Sequence, residues 1–172
     1  MNDLNFTSEN QNFKVVIPNI VLDEIQILCK SSYPNETGGI LIGFYNEQYT
    51  SAIISKFMSA PPDSKSGPTW FVRGINGVKK KLDQLWYKKN EYYIGEWHYH
   101  PDSSSTLSNQ DIKQMSEISC NENYKCPEPV LLIVGGRYKS WEYSTYVFPK
   151  NKKFIQLDVV DEFGGSKELD SR

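Results

Sequence analysis

Cysteine and histidine are scarce in this chain of 172 residues, with three copies of the first and two of the second. The cysteines, Cys29, Cys120 and Cys126, are too few and odd in number to build a disulfide framework, so we expect reduced thiols. Cys120 and Cys126 flank a short polar loop, but a structural zinc site needs four ligands. The remaining residues do not supply them once both histidines are used elsewhere.

An excess of one charge is also lacking, because 19 Lys and Arg face 21 Asp and Glu, for a net charge of −2. This balance excludes a chain whose overall charge attracts nucleic acid or anionic membranes. No apolar run approaches the roughly 20 residues of a transmembrane helix. Residues 1–14 lack the basic start and apolar core of a signal peptide. We therefore expect a cytoplasmic protein that recognises its partners at a local site.

The residues that are present suit a single globular domain over 1–172, with 38% hydrophobic and 13% aromatic residues. The polar composition of residues 162–172 predicts a disordered tail. Apolar runs bounded by turn residues predict strands at 15–17, 40–44, 52–57, 92–98, 130–134, 140–148 and 154–160. Apolar residues at helical spacing predict three helices, which carry Val21, Ile25 and Leu28; Ile75, Val78, Leu82, Leu85 and Trp86; and Ile112, Met115 and Ile118. Strands and helices do not strictly alternate, so we predict an α+β domain with a mixed sheet flanked by helices.

A turn-rich segment, residues 59–68, holds three of the nine prolines. Its composition predicts a loop, and it is the best candidate for a flexible flap. Trp70 and Phe71 follow directly and are candidates for the wall of a binding cleft.

Both histidines of the chain stand in one tripeptide, His98-Tyr99-His100, at the end of a predicted strand. Side chains two apart in a strand point to the same face, so both imidazoles can reach one cation while Tyr99 points away. A histidine pair by itself is also common on ordinary strands, and two ligands leave a metal under-coordinated.

The next helix start supplies a carboxylate, in Ser108-Asn109-Gln110-Asp111. This tetrapeptide is first of all a helix-capping pattern. Asp111 is also a candidate third ligand, because two imidazoles and one carboxylate leave zinc an open position for water, as in catalytic sites. The Ser108 hydroxyl can cap the helix and still act near the positive end of its dipole.

The candidate site residues form one spacing pattern with a glutamate upstream: Glu36, His98-x-His100-Pro101 and, after six intervening residues, Ser108-x-x-Asp111. From about Glu36 to about Pro149 the sequence resembles the JAB/MPN (JAMM) metalloprotease family, and most closely small bacterial members found near ubiquitin-conjugation-like genes in antiphage operons. The resemblance implies an MPN-type, cytidine-deaminase-like domain and a zinc-dependent isopeptidase. Gly38 and Gly39, just after the glutamate, allow a close backbone bend, although such glycines are more often turn residues.

Carried over residue by residue, the resemblance implies that His98, His100 and Asp111 bind Zn²⁺. It implies that Glu36 holds the catalytic water and relays its proton, and that Ser108 steadies the oxyanion. Many members of the family have Ser or Thr where this chain has Tyr99. Since that side chain should point away from the metal, we expect it to alter the surroundings of the site without abolishing catalysis.

The implied partners are a ubiquitin-like protein or its conjugate and E1-like or E2-like proteins of the same operon. The modifier C-terminus is expected to add as a strand to an edge of the domain. Two alternatives stay open at this point. One is a peptidase that trims a sulfur-carrier-like protein with the same residues, and the other is a catalytically silent MPN scaffold, which usually lacks the ligands.

Overall fold

The computed structural model describes residues 2–160, so the predicted disordered tail at 162–172 lies outside the described residues. The helices of this part are α1 (Asn19–Ser32), α2 (Val78–Lys89) and α3 (Asn109–Cys120). A short 3₁₀ helix covers Glu122–Tyr124. The strands are β1 (Leu4–Thr7), β2 (Lys14–Ile17), β3 (Thr37–Tyr45), β4 (Ser51–Met58), β5 (Lys65–Gly67), β6 (Trp70–Val72), β7 (Tyr92–Pro101), β8 (Val130–Arg137), β9 (Ser140–Val147) and β10 (Ile155–Val159). None of the described helices is long and apolar enough to cross a membrane.

Eight strands form one mixed sheet in the order β1-β10-β9-β8-β7-β3-β4-β2, and β1 pairs with β2 as well as with β10. Strand β7 is parallel to β8 and antiparallel to β3, which places it in the middle of the sheet. Strands β5 and β6 form a separate hairpin. The predicted α+β class with a mixed sheet and helices is confirmed, while the cytidine-deaminase-like detail stays a prediction.

Apolar side chains cover both faces of the sheet. On one face, Val21 and Ile25 of α1 share a buried cluster with Trp97 of β7. On the other face, Leu85 of α2 and Met115 of α3 share a second buried cluster with residues of β3 and β8. The sheet therefore lies between α1 on one side and α2 with α3 on the other.

A β-bulge in β7 sets which side chains face α2 and α3. Leu41 pairs with Gly95, and the next residue, Ile42, pairs with Tyr93, so Ile94 is an extra residue on β7. An extra residue reverses the alternation of side chains beyond it. Ile94 and Trp97 accordingly share the α1 face despite their odd spacing, and the even-numbered residues beyond the bulge face α2 and α3.

Two predicted boundaries are wrong. Helix α2 begins at Val78, so Ile75, which was predicted to belong to its apolar stripe, lies outside the helix and is 74% exposed. The reason is Asp63, whose carboxylate accepts the backbone N–H groups of Ile75 and Asn76 at 3.0 and 2.9 Å and holds this segment in a turn. The predicted loop at 59–68 also ends in strand β5, which pairs with β6.

Candidate metal centre

Three predicted ligands, His98, His100 and Asp111, meet in the structure. One ligand atom from each lies within 4.8 Å of the other two, and all three side chains are buried. The histidines lie two apart on β7, on the face that the bulge turns toward α3. Asp111 lies in the first turn of α3. Two imidazoles and one carboxylate are a donor set that suits zinc.

Asp111 combines a helix-capping role with contacts to the histidines. Its Oδ2 accepts hydrogen bonds from the Ser108 backbone N–H at 2.8 Å and from the Ser108 hydroxyl at 2.7 Å. The Ser108 Oγ in turn accepts the Asp111 N–H at 3.1 Å, which completes a capping box. The His98 Nδ1 lies 2.7 Å from the other carboxylate oxygen. Burial would raise the pKa of Asp111, but the bonds with His98 and Ser108 outweigh it and lower that pKa to about 2. The carboxylate is therefore ionised, as a ligand must be.

The two imidazoles are set up to present lone pairs. The Nε2 atom of His98 is buried and has no hydrogen-bond partner among the described residues. In a neutral imidazole one ring nitrogen carries no proton and keeps a free lone pair, which is the form that binds metals. Burial, with a smaller contribution from His98, lowers the pKa of His100 below its usual value despite the neighbouring Asp111. The residues present, two imidazoles and an ionised carboxylate gathered at a buried point, therefore fit a bound metal ion.

Glu36 lies just before β3, is half-buried, and is close enough to Asp111 and His98 for their charges to act on it. Its backbone N–H donates to the Gly67 carbonyl at 2.9 Å. Burial first, and the charge of Asp111 second, raise the pKa of Glu36 to about 7, with His98 opposing them. A carboxyl group with such a pKa can take and give protons near neutral pH.

The raised pKa of Glu36 predicts a pH-dependent cost to the metal-free fold. Because the pKa is near 7 in the folded chain and near 4.5 when unfolded, the folded form holds the proton more tightly. The resulting stability is complete below about pH 4.5 and is lost as the pH rises through 7. At pH 8 the Glu36→Gln variant should thus gain about 1–2 kcal/mol in free energy of unfolding over wild type, after allowance for solvent screening. Near pH 4.5 the two proteins should match.

Chemical denaturation in the presence of a chelator measures this difference at the two pH values. The control is the same pair of proteins with zinc, because a nearby cation favours the carboxylate and should remove the advantage of glutamine. An equal gain at both pH values would instead assign the effect to packing.

The predicted wall residue Phe71 packs onto the site. Its ring meets the His98 ring edge-on, with centroids 5.6 Å apart, and its carbonyl accepts a hydrogen bond from Gln110 on α3 at 3.3 Å. Trp70, the other predicted wall residue, is 41% exposed. The β5–β6 hairpin therefore covers one side of the candidate metal centre.

Gly38 and Gly39 lie inside β3, so the prediction that they form a bend or a turn is wrong. A Cβ on Gly38 would lie 2.4 Å from the Trp97 carbonyl oxygen and 2.7 Å from the Phe71 ring. A Cβ on Gly39 would lie 1.9 Å from the Met58 carbonyl oxygen. The absence of a side chain at Gly38 and Gly39 therefore lets the neighbouring strands and the hairpin pack closely against β3.

Tyr99 points away from the metal centre, as predicted. It is buried on the α1 face, where its ring packs against Trp141 with centroids 5.9 Å apart. Its hydroxyl donates to the Gly136 carbonyl at 3.1 Å. Tyrosine in place of the Ser or Thr of many family members therefore changes the core on the α1 face of β7. The face that carries His98 and His100 is unaltered.

Glu96 is a residue near the site that the sequence interpretation missed. It lies two residues before His98 on the same face of β7 and is fully buried. A signal was present, because a carboxylate inside the apolar strand YYIGEW must find a partner in the fold.

Comparison with known proteins matches residues 18–144 to the family described as prokaryotic homologues of the JAB domain. A protein of Enterobacter hormaechei subsp. hoffmannii (strain UCI 50), named CD-NTase/cGAS isopeptidase, is 38% identical over 159 residues, which cover 92% of this chain and 88% of that protein. The probable metalloprotease y4qB of Sinorhizobium fredii (strain NBRC 101917 / NGR234) is 20% identical, with coverage of 84% and 90%. The solution structure of protein DSY2949 from Desulfitobacterium hafniense is similar in fold, with a TM-score of 0.55, 15% identity and coverage of 83% and 87%.

Proposed function

This chain belongs to the family of prokaryotic homologues of the JAB domain, and we propose that it is a zinc-dependent isopeptidase that removes a ubiquitin-like modifier from its target. The proposal rests on the buried grouping of His98, His100 and Asp111 with Glu36 beside it. Relatives named isopeptidase and metalloprotease support the broader assignment, a JAB-type peptidase or isopeptidase.

His98, His100 and Asp111 would hold the ion. The chemistry that zinc supplies at such a site is Lewis acidity, which lowers the pKa of water to roughly 7. Glu36 then accepts the proton of the attacking water and returns it to the leaving lysine amine. Its half-buried position, close to Asp111 and His98, suits a carboxyl group that takes up a proton and gives it back.

Ser108 is proposed to stabilise the oxyanion that develops on the substrate carbonyl. Its Oγ accepts a hydrogen bond from the Asp111 N–H, and its hydroxyl donates one to the Asp111 carboxylate. Turning the hydroxyl proton toward the substrate keeps the helix cap intact, so capping and oxyanion stabilisation are compatible. The new bond is made where negative charge develops, and it therefore favours the transition state over the substrate.

The proposed substrate is a conjugate in which the modifier's C-terminal glycine is joined to a lysine. The Enterobacter relative is named for CD-NTase/cGAS, so a CD-NTase is the first target to test for this chain as well. The modifier itself, and E1-like or E2-like proteins that form the conjugate, are the proposed partners. The extended C-terminus of the modifier would bind beside the β5–β6 hairpin, where Phe71 and the exposed Trp70 form a wall.

The test uses a ubiquitin-like modifier joined through its C-terminal glycine to a lysine of a fluorescent peptide. We expect about one zinc per purified chain, cleavage of the isopeptide bond, loss of cleavage on chelation and recovery with added zinc. The matched substrate is the same modifier with a linear C-terminal extension. Faster cleavage of the linear form would favour the processing peptidase. A protein that binds no zinc and cuts neither substrate would be a scaffold.

A further inference from the structure

A buried ion pair joins the end of the β5–β6 hairpin to the central strand. The Arg73 Nε lies 2.7 Å from the Glu96 Oε2, and the two side chains are 4% and 0% exposed. Tyr93 donates its hydroxyl to the other Glu96 oxygen at 2.8 Å. Both oxygens of this buried carboxylate are therefore satisfied.

The Arg73 guanidinium is bound in three directions. Besides Glu96, its Nη2 donates to the Tyr124 hydroxyl and its Nη1 to the Gly74 carbonyl, both at 2.8 Å. A planar guanidinium with three fixed acceptors has a single orientation, which lysine could not reproduce. Arg73 follows β6 directly, so its position also fixes the end of the hairpin.

The hairpin in turn contacts the candidate metal centre at two points. Gly67 of β5 accepts the Glu36 backbone N–H, and Phe71 of β6 packs its ring against His98. A shift of the hairpin would therefore move both the proton-transfer residue and one ligand ring.

We propose that Arg73 is a positioning residue, whose buried pair with Glu96 holds the β5–β6 hairpin in register with Glu36 and His98. Stability alone does not account for such a pair, because apolar residues of similar volume often replace a buried ion pair at no cost. The pair is better explained by the need to hold the reacting groups in place, since a misplacement of about 1 Å near them can lower a rate by about 10²-fold. The effect on cleavage rests on the proposed function, whereas the effect on the hairpin does not.

The test is the double variant R73M/E96L, which removes both charges together and leaves neither one unpaired. The variant should fold, with a melting temperature several degrees below that of wild type because the buried Tyr93 hydroxyl loses its acceptor. Hydrogen exchange of the Glu36 amide, measured by NMR on the metal-free protein, should accelerate about tenfold or more, because its acceptor is in the released hairpin. The Leu132 amide in strand β8 should accelerate far less. With the conjugate described above, kcat should fall about tenfold or more with a smaller change in KM.

A matched control is K56M/E91L. The Lys56 Nζ also lies 2.7 Å from the Glu91 Oε2. Lys56 is in β4 and Glu91 directly precedes β7, and the other Glu91 oxygen accepts a hydrogen bond from Ser55 of β4. Removal of the Lys56–Glu91 pair should leave the Glu36 amide and kcat unchanged. If R73M/E96L folds poorly, the single variant R73K retains the charge but loses the fork of donors, and it should give a smaller acceleration at the same amide.

Normal Glu36 exchange in a folded R73M/E96L protein would overturn the proposal, and so would equal acceleration at Glu36 and Leu132, which indicates global destabilisation. A wild-type protein that does not cleave the conjugate refutes the proposed function only. In that case faster exchange at Glu36 in the double variant still supports the role of Arg73.

Discussion

Replacing Glu36 with alanine is expected to abolish cleavage while the protein keeps its metal and its fold. Glu36 is assigned to proton transfer and lies outside the ligand group. Positioned acid–base catalysis is typically worth about 10²–10⁴-fold, and this carboxyl is asked to serve in both transfers. Single-turnover cleavage of the conjugate measures the loss, and metal analysis with thermal unfolding measures what remains.

The Glu36→Ala protein should also retain the conjugate, since the modifier contacts other parts of the site. Binding of uncleaved conjugate with an affinity near that of the modifier for the wild-type enzyme would show this. Cleavage at the wild-type rate would remove Glu36 from the mechanism. Loss of zinc in the variant would place Glu36 among the ligands.

The grouping of His98, His100 and Asp111 was predictable because its geometry is local. Residues two apart on a strand share a face, and His98 and His100 obey that rule on β7. Asp111 was predictable from a capping pattern that returns its side chain to the start of its own helix. Glu36 is different, since it lies 62 positions before His98 in the sequence. Only the resemblance to a family placed it near the metal.

The surroundings of the site could not be predicted, because they depend on contacts between distant segments. Strand β5 has three residues, and its pairing with β6 leaves no periodic pattern to detect. The bulge at Ile94 decides which side chains face α3, yet an apolar run reads the same with or without an extra residue. Glu96 stands out inside an apolar strand, but its partner Arg73 lies 23 positions away in the sequence, and only the fold brings the two together.

In the metal-free chain the surroundings of the two carboxyl groups at the site shift their pKa values in opposite directions. Hydrogen bonds lower the pKa of Asp111 to about 2 and keep it ionised, whereas burial and the charge of Asp111 raise the pKa of Glu36 to about 7. Groups with pKa values moved in opposite directions suit a permanent ligand and a proton carrier respectively. Substitutions of the ligands should therefore differ from those of Glu36 in their effect on metal content.

Replacing His98 or Asp111 with alanine is expected to remove both the metal and all detectable cleavage, because two remaining ligands do not hold zinc in an open site. The variants should differ in stability. Without His98, Asp111 keeps its two hydrogen bonds from Ser108 and α3 keeps its cap, so unfolding should be limited. Without Asp111, Ser108 still accepts the backbone N–H of residue 111, but its own N–H and hydroxyl lose their acceptor, which should cost about 1–2 kcal/mol more. Zinc analysis and chemical denaturation of the metal-free proteins measure the two effects separately. A His98→Ala protein that is fully unfolded would show a structural metal, and an Asp111→Ala protein that keeps its zinc would remove this carboxylate from the ligands.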